Sequence, residues 1–242
     1  HNPTGQNGTL QGREDTTYVL QLADFGFADV DNHAFKGVRF TALPTSGKLL
    51  VNNVLLTNTT QLITAAQIQA GVVKYVPSIN ASGTGKATLK FRVQDSGATL
   101  FEDTQDRLLS VNLTAVNDAP TGKVSIAGGV NGTVTQGQTL TASNTLKDGD
   151  GLLANTISYQ WFADGSAISG ATGNSLTLLQ AQVGKAITVK ASYTDGGGTA
   201  EQVSSSATSA VVAETPPATP TLSLGSGVGL SLIHISEPTR RS

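Results

Sequence analysis

The chain has no cysteine in its 242 residues. A disulfide framework, a thiolate metal site and a cysteine nucleophile are therefore all excluded. Charge is also scarce, because only 13% of the residues are charged and the formal net charge is -2. Such a chain has no basic stripe that could neutralise a run of phosphates, and we expect no nucleic-acid partner. Stability must come from core packing or from hard cations held by oxygen ligands.

Long apolar runs are missing as well. No stretch approaches the roughly 20 apolar residues that a membrane-spanning helix needs, and no basic-then-apolar signal opens the chain. We therefore expect no membrane insertion. Aromatic residues make up 5% of the chain, whereas glycine occurs 27 times. Together with abundant Thr, Ser and Asn, this composition is typical of secreted β-repeat proteins, and the length suits two domains.

Both ends of the sequence suggest a fragment of a longer protein. The chain begins at His1 in a linker-like Asn-Pro-Thr-Gly stretch, and we interpret residues 1–12 as a linker or the end of a preceding module. Residues 214–229 are interpreted as a Pro-rich linker and the start of a truncated next module. Residues 230–242 resemble a translated sequencing adapter, so neither they nor the His234 they contain carry functional weight.

Between the ends, apolar and polar residues alternate with a period near two, which predicts β-strands separated by short turns. In the first half the predicted strands are 18–22, 38–40, 89–93 and 110–113. In the second half they are 123–126, 138–142, 156–162, 175–179, 186–193 and 206–212. One segment departs from this period: Thr64, an Ala-rich stretch and Gly71 predict a short helical turn with a polar cap and a glycine end.

The motif Asn117-Asp118-Ala119-Pro120 interrupts the strand pattern, and the Pro-Thr-Gly of residues 120–122 repeats that of residues 3–5. We place a domain boundary there, with a first module at 13–118 and a second at 119–213. The sequence therefore predicts an all-β protein of two tandem antiparallel β-sandwich modules.

The first module resembles the cadherin-like repeats of giant bacterial adhesins. The residues that carry the resemblance are EDTTY at 14–18, LADFGFADVD at 22–31, VKYVP at 73–77, FRVQDSG at 91–97 and the exit NDAP at 117–120. The second module resembles the immunoglobulin-like repeats found beside them, through GQTLTA at 137–142, ISYQW at 157–161, GKAITV at 184–189 and SYTD at 192–195. The resemblance implies a surface-displayed or secreted array of the RTX type, exported by a type I secretion system.

Acidic loops are the candidate metal sites, because Ca²⁺ takes about six to eight oxygen ligands and one loop can supply several. In cadherin-like folds such groups converge at a module end, within reach of a linker aspartate. The resemblance therefore implies one or two calcium ions, with the ligands Glu14, Asp29, Asp31, Asp95 and Asp118. Weaker candidates are Asp15, Asn117, Asp148 and Asp150, and Asp195 is a further acid of the second module. The alternative for every aspartate is a turn-former whose carboxylate accepts a nearby amide.

Other chemistry has less support in the sequence. Residues 148–151 resemble the opening of an EF-hand but lack its third acid and its final glutamate, which excludes that motif. His33 could bind zinc beside Asp31, although a solvated loop histidine is the simpler interpretation. Acidic pairs such as Glu102 and Asp103 are usually solvated or metal-bound in loops of β-proteins. No nucleophile elbow is present, and we expect no enzyme.

Three functions follow from these patterns. The leading one is a calcium-stiffened, monomeric spacer of a large bacterial cell-surface adhesin, acting in cell adhesion or biofilm formation with neighbouring repeats of the same polypeptide as its partners. The alternative is a carbohydrate- or peptide-binding accessory module of a secreted hydrolase, with Trp161 as an exposed platform. Trp161 lies, however, where immunoglobulin-like folds bury a tryptophan, so a core position is favoured. A calcium-bound hydrolase would need an active site in flanking sequence.

Overall fold

Most of the period-two segments form β-strands, and the protein is all-β. The structure, a computed structural model, describes residues 1–99, 101–153 and 157–215. Its strands within these ranges are β1 Gly8–Arg13, β2 Tyr18–Val19, β3 Phe35–Ala42, β4 Lys48–Val51, β5 Val54–Leu55, β6 Leu62–Thr64, β7 Val73–Val76, β8 Gly83–Asp95, β9 Arg107–Thr114, β10 Val124–Ala127, β11 Thr139–Asn144, β12 Ser158–Ala163, β13 Ser166–Ala167, β14 Ser175–Thr177, β15 Ile187–Thr194 and β16 Ala200–Ser204. No helix in the described ranges is long and apolar enough to span a membrane.

The first hydrophobic core lies between two sheets. One sheet has the strand order β1-β9-β8-β3-β6 and the other β2-β7-β4-β5. Alternate residues of each face inward, such as Phe40 and Phe91 from the first sheet and Leu49 and Tyr75 from the second, and all four are buried. The Phe25 ring packs edge-on against Phe91 with 5.0 Å between ring centroids. The predicted β-sandwich fold is confirmed. Its strand pairs are antiparallel except β1 and β9, which run parallel at one edge of the first sheet.

Residues 1–12 are not all linker. Gly8–Arg13 forms β1, in which Gly8 pairs with Leu109, and Leu10 is buried in the first core. Before it, Thr4 and Ala28 exchange two backbone hydrogen bonds of 2.8 Å each. The segment was interpreted as linker because Leu10 is the sole apolar residue of β1, and one residue gives no period.

The predicted helical turn is present as α1, Ala65–Gln69, between β6 and β7. Thr64 Oγ1 accepts a hydrogen bond from the Gln67 amide (3.2 Å), and Gln67 Oε1 accepts one from the Thr64 amide (2.9 Å). Ile68 is buried in the first core, and Gly71 adopts a left-handed φ of 69° just beyond the helix. The capping signals therefore identified both ends of this helix.

The second core lies between the sheets β10-β11-β14 and β13-β12-β15-β16. Trp161 on β12 is fully buried there among residues such as Leu140 and Val189, and its Nε1 donates to the Gly173 carbonyl at 2.9 Å. The predicted core position of Trp161 is confirmed. The first core ends at Leu113 and the second begins at Val124, so no residue belongs to both.

The last predicted strand, 206–212, is wrong in its position. The strand beside β15 is β16, Ala200–Ser204, and residues 210–212 form only isolated bridges. The physical reason is that the Ser205 and Thr208 hydroxyls accept hydrogen bonds from the Val189 and Ile187 amides at 3.0 Å each, which interrupts a regular ladder. Of the predicted Pro-rich linker at 214–229 only the first two residues are described, and the predicted adapter-like tail at 230–242 lies outside the described residues.

Candidate metal sites

The structure divides the predicted calcium ligands between two clusters. Asp29 and Asp95 lie together at one end of the first core. Asp31 lies beside them and pairs with His1, whereas Glu14 and Asp118 lie at the other end. Strand β8 links these ends: its first residue, Gly83, pairs with Leu113 beside the linker, and its last residue is Asp95. A strand of this length spans on the order of 40 Å. The five preferred ligands therefore cannot surround one ion, which corrects the expectation that they converge.

The cluster near the linker, here called the junction cluster, consists of Glu14, Asp15, Asp118, Asp148, Asp150 and Asp195. From the first core, Glu14 is buried and its Oε1 accepts from the Val116 amide at 2.7 Å. Asp15 Oδ1 accepts from the Asn80 amide at 3.0 Å. The linker thus passes directly over two carboxylates that the first core holds in place.

Residues of the second core complete the junction cluster. The Asp118 amide donates to Asp150 Oδ2 at 2.6 Å, so the linker is tied to the loop that follows β11. Asp148 accepts from the Asp150 amide at 3.0 Å and from the Tyr193 hydroxyl at 2.6 Å. Asp195, just past β15, is buried and accepts from the Thr199 amide at 2.7 Å. Oxygens of Asp148, Asp150 and Asp195 lie within 4.8 Å of one another.

The contacts of these aspartates fit both of the predicted roles, the turn-former and the metal ligand. One oxygen of Asp195 accepts a backbone hydrogen bond, as in a turn-former. Its other oxygen, Oδ2, is buried without a hydrogen-bond partner, and so is Oδ2 of Asp118. A buried carboxylate oxygen without a donor destabilises the fold, because it has lost its hydrogen bonds to water and no protein donor replaces them. Turn formation alone leaves these two oxygens unexplained.

The electrostatics of the junction cluster favour a cation. Desolvation and the charges of Asp15, Asp150, Glu14 and Asp148 raise the pKa of Asp118 above its ordinary value. Within the described residues, none of the salt bridges involves a carboxylate of this cluster. A donor set made only of oxygens, with two oxygens left unpartnered, suits a hard cation such as Ca²⁺.

A cleft beside the linker gives solvent access to the junction cluster. Its volume is about 350 Å³, and Asn80, Asp118, Lys147 and Asp148 are among the residues that line it. Asn80 was not predicted as part of a site. It stands in the β7–β8 connection with a left-handed φ of 55°, and its place in a Pro-Ser-Ile-Asn turn is the only sequence signal for it. Asn117, a weaker candidate, donates instead to Glu201 at 2.9 Å.

The second group, here called the His33 cluster, consists of Asp29, His33 and Asp95. His33 Nδ1 lies 3.3 Å from Asp29 Oδ2 and 3.7 Å from Asp95 Oδ2. Asp31 is exposed and pairs with His1, whose ring Nδ1 lies 2.9 Å from Asp31 Oδ1. Asp31 therefore stands beside the cluster and its carboxylate is already engaged.

The acidic pair Glu102 and Asp103 belongs to neither cluster. Glu102 pairs with Arg39 and accepts from Gln94 at 2.6 Å, and these hydrogen bonds lower its pKa. Asp103 is buried and accepts from Arg107 Nε at 2.8 Å. The interpretation of this pair as solvated or metal-bound is wrong, because arginines from neighbouring strands neutralise both carboxylates.

Comparisons with known proteins add little to this geometry. No protein-family model matches the sequence, and no curated protein is significantly similar to it. Solved structures that are similar in fold include mouse cadherin-23 EC22–24 (TM-score 0.42, 14% identity, 88% of this chain and 67% of that chain) and a Ca²⁺-stabilized adhesin of an Antarctic bacterium that binds ice (TM-score 0.28, 14% identity, 87% and 50%). Fibronectin(III)-like modules of Clostridium thermocellum CbhA are also similar (TM-score 0.27, 14% identity, 87% and 94%).

Gly149, between Asp148 and Asp150, tests the packing of the junction cluster. A Cβ at this position would overlap the side chains of Asn80 and Asp118. We expect Gly149→Ala to push the linker away from the second core and to destabilise the protein by about 1–3 kcal/mol, the usual effect of overpacking. The measurement is urea unfolding followed by Trp161 fluorescence.

Gly173→Ala is the matched control, because a Cβ there would meet its nearest atoms at an ordinary 3.8 Å. Its effect should stay within about 0.5 kcal/mol. If the two variants unfold alike, the close contact across the linker is not present in solution.

Proposed function

We propose that this segment is a pair of calcium-stiffened spacer modules, at 13–118 and 119–213, within a large bacterial cell-surface adhesin. The single observation that carries the proposal is the position of Asp118. Its carboxylate lies in the linker between the two cores, and the acids that raise its pKa come from both sides of that linker. One Ca²⁺ bound here would tie the first core, the linker and the second core together.

The mechanism of stiffening follows from charge. Without a cation, the carboxylates of Glu14, Asp118 and Asp150 repel one another and favour a linker that opens. Ca²⁺ replaces that repulsion with attraction, and the buried oxygens of Asp118 and Asp195 gain a partner. For extracellular modules with dissociation constants near 10⁻⁴ to 10⁻³ M, calcium at ten to a hundred times that concentration adds roughly 1.4–2.7 kcal/mol per site. Repeated along an array, such sites would produce a rod that projects a distal binding domain.

The proposed spacer modules work at the outside of a bacterial cell. The partners are neighbouring repeats of the same polypeptide, the chain is monomeric, and its place is the extracellular surface of a bacterium, with RTX-type export and adhesion or biofilm formation as the setting. The carbohydrate-binding alternative depended mainly on an exposed Trp161. Trp161 is buried and cannot stack on a sugar ring. We propose no catalytic role for this segment.

Calcium-dependent unfolding of the full chain tests the proposal. Trp161 is the sole tryptophan and lies in the second core, so its fluorescence reports the core that supplies Asp148, Asp150 and Asp195. We expect saturating Ca²⁺ to raise the melting temperature of this transition by roughly 5–15 °C over the value in excess chelator. Small-angle X-ray scattering should show a narrower range of particle lengths with Ca²⁺ than without it.

Two variants and one control make this test specific. Asp118→Asn and Asp195→Asn should each remove most of the calcium response, because each takes a charge from the proposed site. Asp106→Asn removes one charge from an exposed acid of the first core and should leave the response unchanged. If the melting temperature of the wild-type chain is the same with calcium and with chelator, these acids stabilise the fold without a metal ion and the proposal is wrong.

A further inference from the structure

The His33 cluster differs from the junction cluster in its donor atoms. The imidazole of His33 stands between two carboxylates, with Nδ1 3.3 Å from Asp29 Oδ2 and 3.7 Å from Asp95 Oδ2. Asp29 and His33 share the loop before β3, and Asp95 is the last residue of β8. Three side chains from two separated segments therefore bring one nitrogen and two or more oxygens to the same point.

The carboxylates of this cluster are buried and incompletely bonded. The side chains of Asp29 and Asp95 are 1% and 0% exposed, whereas that of His33 is 42% exposed. Asp29 Oδ2 accepts from the His33 amide at 2.6 Å, and Asp95 Oδ1 accepts from the Gly97 amide at 2.8 Å. The remaining oxygens, Asp29 Oδ1 and Asp95 Oδ2, have no hydrogen-bond partner. Asp95 Oδ2 is the oxygen that faces His33, so an unpartnered buried acceptor points into the cluster.

The two clusters are built on the same local frame, which makes the histidine informative. Thr4 pairs with Ala28 just before Asp29, and Thr121 pairs with Lys147 just before Asp148. Asp95 and Asp195 each end or follow a long strand and close the respective cluster. The loop of residues 148–152 in the junction cluster contains no histidine. The nitrogen donor is therefore an addition to a frame that is otherwise made of oxygens.

We propose that the His33 cluster is a second metal site, which binds a first-row transition ion of the Zn²⁺ class in preference to Ca²⁺. Imidazole nitrogen is a poor ligand for Ca²⁺ but a common one for Zn²⁺, which also accepts carboxylate oxygens from Asp and Glu. Asp29, His33 and Asp95 would be the ligands, and the exposed side of His33 leaves room for water to complete the coordination. Such an ion would fasten the loop before β3 to the end of β8.

The first experiment measures Zn²⁺ binding to the full, untagged chain by isothermal titration calorimetry in buffer that already contains saturating Ca²⁺. We expect one Zn²⁺ per chain that Ca²⁺ does not displace. The site lies at one end of the first core, whereas Trp161 lies in the second. Zn²⁺ should therefore raise the melting temperature of the first core, followed by circular dichroism, and leave the melting temperature followed by Trp161 fluorescence unchanged.

His33→Gln is the decisive variant, since it removes the imidazole from an exposed position without changing the fold. It should weaken Zn²⁺ binding more than about 100-fold, because loss of an outer partner alone already costs 10- to 100-fold at metal sites. His1→Ala removes the other histidine near the cluster and should leave Zn²⁺ binding unchanged. Equal Zn²⁺ affinity in wild type and His33→Gln, or full displacement of Zn²⁺ by Ca²⁺, would overturn the inference. The effect of Ca²⁺ on the melting temperature followed by Trp161 fluorescence is measured in the same samples. Loss of calcium binding at the junction cluster can then be distinguished from loss of zinc binding at the His33 cluster.

Discussion

Replacing Trp161 by alanine is expected to lower the free energy of unfolding by about 3–5 kcal/mol, the usual effect of removing a buried aromatic side chain from a core. The indole is fully buried between the two sheets of the second core, and its Nε1 hydrogen bond to the Gly173 carbonyl would be lost as well. Because the fluorophore is removed, the measurement is urea unfolding followed by circular dichroism. The loss is a large fraction of the stability of an ordinary domain.

Phe162→Ala is the control for this prediction, since Phe162 is the next residue of β12 and points to the opposite face. Its ring is half-buried and lies 5.3 Å from Lys190 Nζ, so we expect an effect of about 1 kcal/mol. Similar losses for both variants would mean that Trp161 does not occupy the core. That result would revive the carbohydrate-binding alternative, which needs an exposed indole.

Asp103→Asn is expected to destabilise the first core by about 3 kcal/mol, because it leaves Arg107 beside a neutral side chain. Burial opposes the ionisation of Asp103, but hydrogen bonds from Arg107 and from the Gly5 and Gln105 amides outweigh it and hold the pKa below its ordinary value. The Asp103 side chain is 1% exposed. Urea unfolding followed by circular dichroism measures the loss.

The same carboxylate gives the first core a pH dependence of known sign. A pKa that is lower in the folded chain means that the folded state binds fewer protons, so the stabilisation is present above about pH 4 and is lost as the pH falls through the lowered pKa. Wild type should therefore lose stability below about pH 4, and Asp103→Asn should lose less over the same range.

Asp106→Asn is the control for the substitution at Asp103. Asp106 pairs with Arg92 at the surface with 36% of its side chain exposed, and we expect its loss of unfolding free energy to be less than about 1 kcal/mol. Equal effects at Asp103 and Asp106 would contradict a buried ion pair.

The acidic residues thus have two different roles, which their partners separate. Asp103 and Glu102 face arginines and stabilise the fold as they stand. The carboxylates around Asp118 lie close to one another without a cationic side chain among them in the described part of the chain, and their charges help to raise the pKa of Asp118. Composition treats all of these residues alike, so a count of acids in loops could not distinguish them.

Features that depend on neighbouring residues could be predicted from the amino-acid pattern. The period of two predicts β8 and β15, and the Thr64 and Gly71 signals predict α1. Each of these signals is local, because a strand or a cap is specified by residues within a few positions of one another. Asp and Asn also concentrate in the loops, which is why the sequence predicts metal ligands there, and this stays a prediction.

Which of those acids lie close together could not be predicted from the amino-acid pattern and is seen in the folded chain. Asp95 joins Asp29 and His33, while Asp195 joins Asp148 and Asp150, and each meeting is made by strands far apart in the sequence. Asn80 lies beside the junction cluster in a turn that has no apolar period. β1 pairs with β9 although almost the whole first module separates them in the sequence. The physical reason is that sheet pairing and burial are set by the packing of distant strands, which a one-dimensional pattern of apolar and polar residues does not contain.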